Sequence, residues 1–143
     1  MPLLNYTTTI EATKTVSEIE KNLAKHGAKA ILKNYDDDGQ ISSLSFIIHH
    51  GDQDIPFRLP VDPDSVFRVL VRQGVPTRYK SNHQAIRVAW RIVKDWVEAQ
   101  MAILETEMVR MEQIFLPYMV SESGKTLYET MLDRGFYLPE GRG

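Results

Sequence analysis

The 143-residue chain contains no cysteine, which excludes disulfides, thiolate metal sites and a cysteine nucleophile. It has no apolar run near the ~18 residues that a membrane span needs. The opening Met-Pro-Leu-Leu-Asn-Tyr lacks a basic stretch followed by an apolar core, so no signal peptide is expected. These absences point to a cytoplasmic protein with no membrane partner. Acids are missing from one long stretch, with none between Asp64 and Asp95, although the chain as a whole carries a net charge of −2. Proline and glycine are absent from Ser81 until Pro117. What remains is ordinary globular composition, 43% hydrophobic and 25% charged, on a chain long enough to bury a core as one domain, residues 1–143.

The local pattern alternates between strand and helix signals. Residues 5–10, Asn-Tyr-Thr-Thr-Thr-Ile, are β-branched and aromatic and predict a strand. Thr15 and Glu18 have capping-box spacing, which predicts a helix from about Val16 to Lys25 with Val16, Ile19 and Leu23 as its apolar stripe and Gly27 past its end. Three strands follow, over 28–35, 41–49 and 54–59, joined by Asp36-Asp37-Asp38-Gly39 and by Gly51-Asp52. Pro56 places the third strand at an edge. Asp62-Pro63 opens another helix ending near Gly74. These elements make up a sheet part over 1–73.

Ser81 and Gln84 form a second capping box. Apolar residues then recur in threes and fours from Ile86 to Phe115, which predicts one helix within 81–116, about 33 residues and roughly 50 Å long. A short helix near Thr126–Leu132 and a tail complete 126–143. The expected fold is therefore α+β: a small antiparallel sheet in the order β-α-β-β-β-α, one long C-terminal helix and a short one. Val88, Ile92, Trp96 and Ile103 add a second apolar row to the long helix. A face that broad predicts packing on another copy, hence a homo-oligomer.

The acid-free stretch is the strongest functional feature. It holds Arg68, Arg72, Arg78, Lys80, Arg87, Arg91 and Lys94, and concentrated positive charge favours an anion. Arg87, Arg91 and Lys94 share a helix face, and the first two are the pair best suited to grip a phosphate as guanidinium forks. Tyr79 and Trp90 stand ready to stack on a base. The competing reading is a solvated face, or one paired with acids of a neighbouring helix. Gly124-Lys125-Thr126 looks like the end of a phosphate-binding loop, but Met119 stands where that loop needs glycine, so Thr126 is read as a helix cap. The four histidines lack metal-ligand spacing, Asp36–Asp38 lack the glutamate of a calcium loop, and Ser42, Ser43 and Ser45 lack elbow glycines. Neither a cofactor, a metal nor an enzymatic activity is expected. The α-β-β-β-α order of 16–73 matches double-stranded RNA-binding domains, but Asp62-Pro63-Asp64 stands where that fold places its basic cluster, so the likeness is one of order.

Four segments together carry a resemblance: Asn5–Ile10, Pro56–Pro60, the block from Arg87 to Gln100, and Phe115–Met119. They resemble a family of small proteins of phages, prophages and other mobile elements, over nearly the whole chain. The resemblance implies a mobile-element origin and brings no catalytic residues. It implies a non-enzymatic binding protein, counter-defence in kind, that sequesters a nucleotide signal or blocks a host defence protein. The alternative is a nucleic-acid-binding accessory protein of phage replication or recombination.

Overall fold

A computed structural model describes residues 2–136; the tail beyond Phe136 lies outside the described residues. The chain forms helix α1 (Ala12–Lys25), strands β1 (Ala28–Tyr35), β2 (Ile41–His50) and β3 (Gln53–Arg58), then helices α2 (Pro63–Arg72), α3 (Asn82–Glu105), α4 (Met111–Phe115) and α5 (Leu127–Asp133). The fold is α+β, with a three-stranded antiparallel sheet in the order β1-β2-β3.

The hairpins form where the turn chemistry places them. Asp36 Oδ1 accepts from the backbone N–H of Asp38 and of Gln40, both at 2.9 Å, which closes the β1–β2 turn around Gly39 in the left-handed region. Pro56 lies on the edge strand β3. The carbonyl of Pro56, a residue with no N–H to offer, accepts the Val120 N–H at 2.8 Å. Asp62 caps α2 by accepting from the Ser65 N–H, and Pro63 occupies the first turn.

Alternation along β2 sends Leu44, Phe46 and Ile48 inward, a register shift beside Tyr35 brings Ile41 to the same side, and Val16, Ile19 and Leu23 of α1 join them. Phe46 is fully buried, stacked on Phe57 at 5.3 Å and edge-on to Phe115 at 5.1 Å. Val88, Ala89, Trp90, Val93, Val97 and Met101 of α3 are buried too. A smaller second core gathers Leu70, Val75 and Ala85, with Leu3, Tyr6, Val66, Phe67 and Tyr79 against it. On the opposite face of the sheet Leu32 is 61% exposed beside half-buried Ile47 and Pro56.

Three expectations are corrected. Residues 5–10 are not a strand. The Tyr6 N–H bonds Leu3 O and the Thr8 N–H bonds Asn5 O, with Asn5 itself at φ 66°. Strand composition needs a strand partner, and this segment lies instead against α3, where Gln84 Nε2 donates to the carbonyls of Tyr6 and Thr8, both at 2.9 Å. Helix α1 starts at Ala12 rather than at Val16. Thr15 falls on the buried face, its hydroxyl donating to Glu11 O, and Glu18 turns to α3, so neither caps.

The third correction concerns the long helix. It is mid-chain, spans 24 residues and ends at Glu105. The Thr106 hydroxyl donates to Ile103 O and its oxygen accepts the Met108 N–H, competing with the helical ladder, while Glu107 takes φ 63°. The apolar spacing runs on past this break because Met111 and Phe115 return to the same core. The second row is also covered within the chain: Val88 is fully buried, and Trp96 packs edge-on against Phe115 at 5.5 Å and Tyr118 at 5.6 Å. At 40% exposed, Ile103 is the open end of that row. Most of the face that suggested a second copy is covered by the protein's own residues, with Ile103 and Met108 left exposed.

Candidate anion-binding surface

The acid-free stretch becomes two surfaces with different neighbours. The first is the side of α3 that faces α1. Arg87, Arg91 and Lys94 do share it, and α1 meets them with acids. Arg87 donates to Glu11 and to Gln84 Oε1. Arg91 donates to Glu18 at 2.9 Å and approaches the Thr15 hydroxyl at 3.5 Å. Lys94 bonds Glu98 at 2.6 Å and lies 3.9 Å from Glu18. His83 stands 3.5 Å from Glu11. The hydrogen bond from Arg87, with the charges of Arg87 and His83 beside it, holds the Glu11 carboxyl below its usual range. Each of the three cations is thus offset by a carboxylate of its own chain.

The second surface is α2 and the turn after it. Arg68 and Arg72 are four residues apart, so they lie on one face of α2, and both are exposed. Arg68 donates to Ser65 Oγ at 2.9 Å. Ser65 in turn donates to Asp62, and these bonds, with Arg68 nearby, keep the Asp62 carboxyl below its usual range. Arg72 occupies the last turn of α2, where a cation complements the helix dipole. The chain then passes Gly74, in the left-handed region, and buried Val75 into a 3₁₀ turn, Thr77–Tyr79, with Lys80 at its end. The Arg78 guanidinium lies 4.8 Å above the Tyr79 ring, and Tyr6 meets that ring edge-on at 5.4 Å. Among the described residues, none of Arg68, Arg72, Arg78 and Lys80 has a carboxylate within ion-pair distance.

The aromatic expectations change with this geometry. Trp90 is fully buried and belongs to the core, so it offers no stacking surface; its periodicity on α3, shared with Val93 and Val97, is the signal for that role. Tyr79 is half-buried and its ring is already occupied. The cavities beside the β1–β2 turn, beside α4, between β3 and α5, and on the open face of the sheet are lined by residues other than the eight candidates.

Elsewhere the chemistry-bearing residues serve structure. Thr126 caps α5 by accepting the Glu129 N–H at 3.2 Å, while Glu129 accepts the Thr126 N–H at 3.0 Å, so the Gly-Lys-Thr run marks a capping box. The bonds to Thr126 keep the Glu129 carboxyl low. Each histidine faces a carboxylate: His26 with Glu105, His49 with Asp54, His50 with Glu112 and His83 with Glu11. One contact without a sequence signal is that of Arg58, whose guanidinium donates to Gly124 O at 2.6 Å and ties β3 to the loop before α5. Among the described residues no helix is long and apolar enough to cross a membrane.

No family model, no curated protein and no solved structure matches the chain. Its functional reading therefore rests on the two charged surfaces themselves.

Proposed function

We propose that this chain is a non-enzymatic binding protein of a phage or other mobile element. It acts in the host cytoplasm and takes a phosphate-bearing partner through Arg68, Arg72, Arg78 and Lys80. The observation that carries this reading is the contrast between these four cations and the three on α3. Like charges held together repel. On α3 that repulsion is offset by Glu11, Glu18 and Glu98 at ion-pair distance, whereas on α2 and its turn Arg68 reaches Asp62 through Ser65 and Arg72, Arg78 and Lys80 leave the offset to a partner in solution.

The displaced ionisations among the described residues belong to structural ion pairs and caps. Glu11, Asp54, Asp62 and Glu129 are held low by hydrogen bonds to partners, and Lys33 and Lys125 are held high by their bonds to Glu20 and Asp133. Each shift favours the charged form, as structural ion pairs do. A general acid or base needs the opposite, a value moved toward neutrality.

Two forms of the reading follow from the resemblance: a counter-defence protein that holds a nucleotide signal or blocks a host defence protein, and an accessory protein that holds nucleic acid. Exposure of Arg68, Arg72 and Arg78 on the surface, away from the cavities, favours the second. Self-association stays in the proposal, with its surface moved from α3 to the open sheet face around Leu32, Ile47 and Pro56.

Calorimetry at low salt tests the reading, with duplex DNA, single-stranded DNA, RNA and cyclic nucleotides as titrants. Binding of at least one is expected, and Arg68→Glu combined with Arg72→Glu should weaken it at least ~10-fold, since two charge-assisted contacts become repulsive. Absence of heat with every titrant overturns it.

A further inference from the structure

Resting on that reading, we infer that the partner is the phosphate backbone of a double-stranded nucleic acid, held without base stacking. The first reason is that the surface offers no stacking platform. Proteins that hold single strands or free nucleotides through exposed surfaces lay bases on aromatic rings. In this segment Trp90 is fully buried. Tyr79 has the Arg78 guanidinium over its ring and Tyr6 edge-on against it. With Arg78 over it and Tyr6 against it, the ring is engaged by its own chain, and it acts by positioning Arg78. In a duplex the bases already stack on one another, and the backbone is what the protein meets.

The second reason is the form of the cationic surface. Arg68 and Arg72 lie on one face of α2, about 6 Å apart along its axis. Arg78 and Lys80 come from the turn that follows. Arg68, Arg72 and Arg78 are exposed, so their guanidinium groups reach a rod lying across the surface rather than a ligand inside a pocket. A duplex presents a charge about every 1.7 Å of its length, so several cations are matched whatever the register.

The third reason is that base-reading groups are committed elsewhere. Gln73, between Arg72 and the turn, accepts the Leu3 N–H with its Oε1 at 2.8 Å. Base edges are read by such carboxamides and by bidentate arginines reaching into a groove. Here Arg68 is tied to Ser65 and Arg78 to Tyr79. Binding is therefore independent of sequence, with affinity in the non-specific range, about 10⁻⁴–10⁻⁶ M at physiological salt.

Fluorescence anisotropy with the full chain tests this, using labelled duplexes of two unrelated sequences, one of their single strands, and a cyclic dinucleotide as competitor. The two duplexes should bind within about threefold of each other, since phosphate contacts carry no sequence information. The slope of log K against log salt should be no steeper than about −4, since four neutralised phosphates release counterions at about 0.9 each. Arg72→Glu should weaken duplex binding roughly tenfold and make the slope shallower by about one. Tyr79→Leu should cost the duplex no more than Arg78→Leu does, because the ring acts on the duplex only through Arg78. Tighter binding of the single strand or the cyclic dinucleotide than of the duplexes would overturn the inference and leave the phosphate reading standing. So would a preference beyond about a hundredfold for one duplex, or a loss on Tyr79→Leu well beyond that on Arg78→Leu with the fold intact by circular dichroism. No binding of any probe would overturn both.

Discussion

Arg91 and Arg72 are the same residue on two neighbouring helices of one acid-free stretch, and they meet different surroundings. Arg91 has 14% of its side chain exposed and donates to Glu18 at 2.9 Å. Arg72 is exposed at the end of α2 with no carboxylate at ion-pair distance among the described residues. In the linear chain the seven cations read as one feature. In the folded chain α1 lies along α3 and supplies Glu11 and Glu18, while the α2 surface receives no such neighbour. A run of like charge is thus two different objects, a bolt between helices and an open surface. What separates them is the position of acids more than 70 residues away, since Arg91 and Glu18 are 73 apart and Arg87 and Glu11 are 76 apart.

The largest expected effect asks whether the two regions belong to one folding unit. Phe46 is fully buried between Phe57 and Phe115, and Phe46→Ala should lower stability by about 3–5 kcal/mol. Urea unfolding followed by tryptophan fluorescence reads the large core through Trp90 and Trp96. Amide exchange at Val75 and Ala85 reads the small core under the free cations. Both should loosen together; a loss under about 1 kcal/mol would remove Phe46 from the core.

Next, the two arginines can be compared by the same substitution. Arg91→Glu places like charges together at a largely buried site and should cost about 2 kcal/mol, allowing for the partial exposure of Glu18. Arg72→Glu should stay within about 0.5 kcal/mol, as exposed substitutions do. Equal costs in parallel urea titrations would erase the distinction between the surfaces.

A smaller effect is expected at Gln84, which is 5% exposed and holds the 3–8 segment by two carbonyls. Gln84→Ala should cost about 1–2 kcal/mol through the lost bonds. It should also speed exchange of the Tyr6 and Thr8 amides, which bond within that segment. Unchanged exchange at both would mean the segment is held by its apolar contacts alone.

The smallest effect is a pH dependence at the paired surface. Glu11 has a lowered folded value, first through its hydrogen bond from Arg87. Its contribution is present above the ordinary carboxylate range and fades as pH falls through that lowered value. Glu11→Gln should flatten the acid side of the stability curve, read as urea midpoints at successive pH. An unchanged curve would show that the pair contributes nothing to folding.

Much of the fold was legible because its signals are local. Asp36 closes its own turn, Asp62 and Ser81 cap the helices they precede, and Val16, Ile19 and Leu23 line one face at helical spacing. The misreadings have a common cause. The 5–10 segment has strand composition, but a strand exists by virtue of the neighbour that pairs with it. The end of α3 was hidden because its break keeps the apolar period: Met111 and Phe115 fold back onto the core they would have reached in a straight helix. Seven of the eight candidate residues were found by charge and Tyr79 as an aromatic among them, and charge does not say which cations already have partners.

By itself, then, the sequence determined the α-β-β-β-α order from α1 to α2, the hairpin turns, the helix starts at Asp62 and Ser81, and the basic character of 68–94. Each depends on residues within a few positions of one another, where backbone geometry and short side chains decide. Only the tertiary structure decided that Trp90 is core, that Gln84 anchors the 3–8 segment, and that Arg87 and Arg91 are offset by acids beside α3 while Arg72, Arg78 and Lys80 have no carboxylate at ion-pair distance among the described residues. Those outcomes depend on which helix lies beside which, and that is set by burial of the apolar faces of α1, α3 and the sheet, a non-directional force that carries the charges wherever the packing puts them.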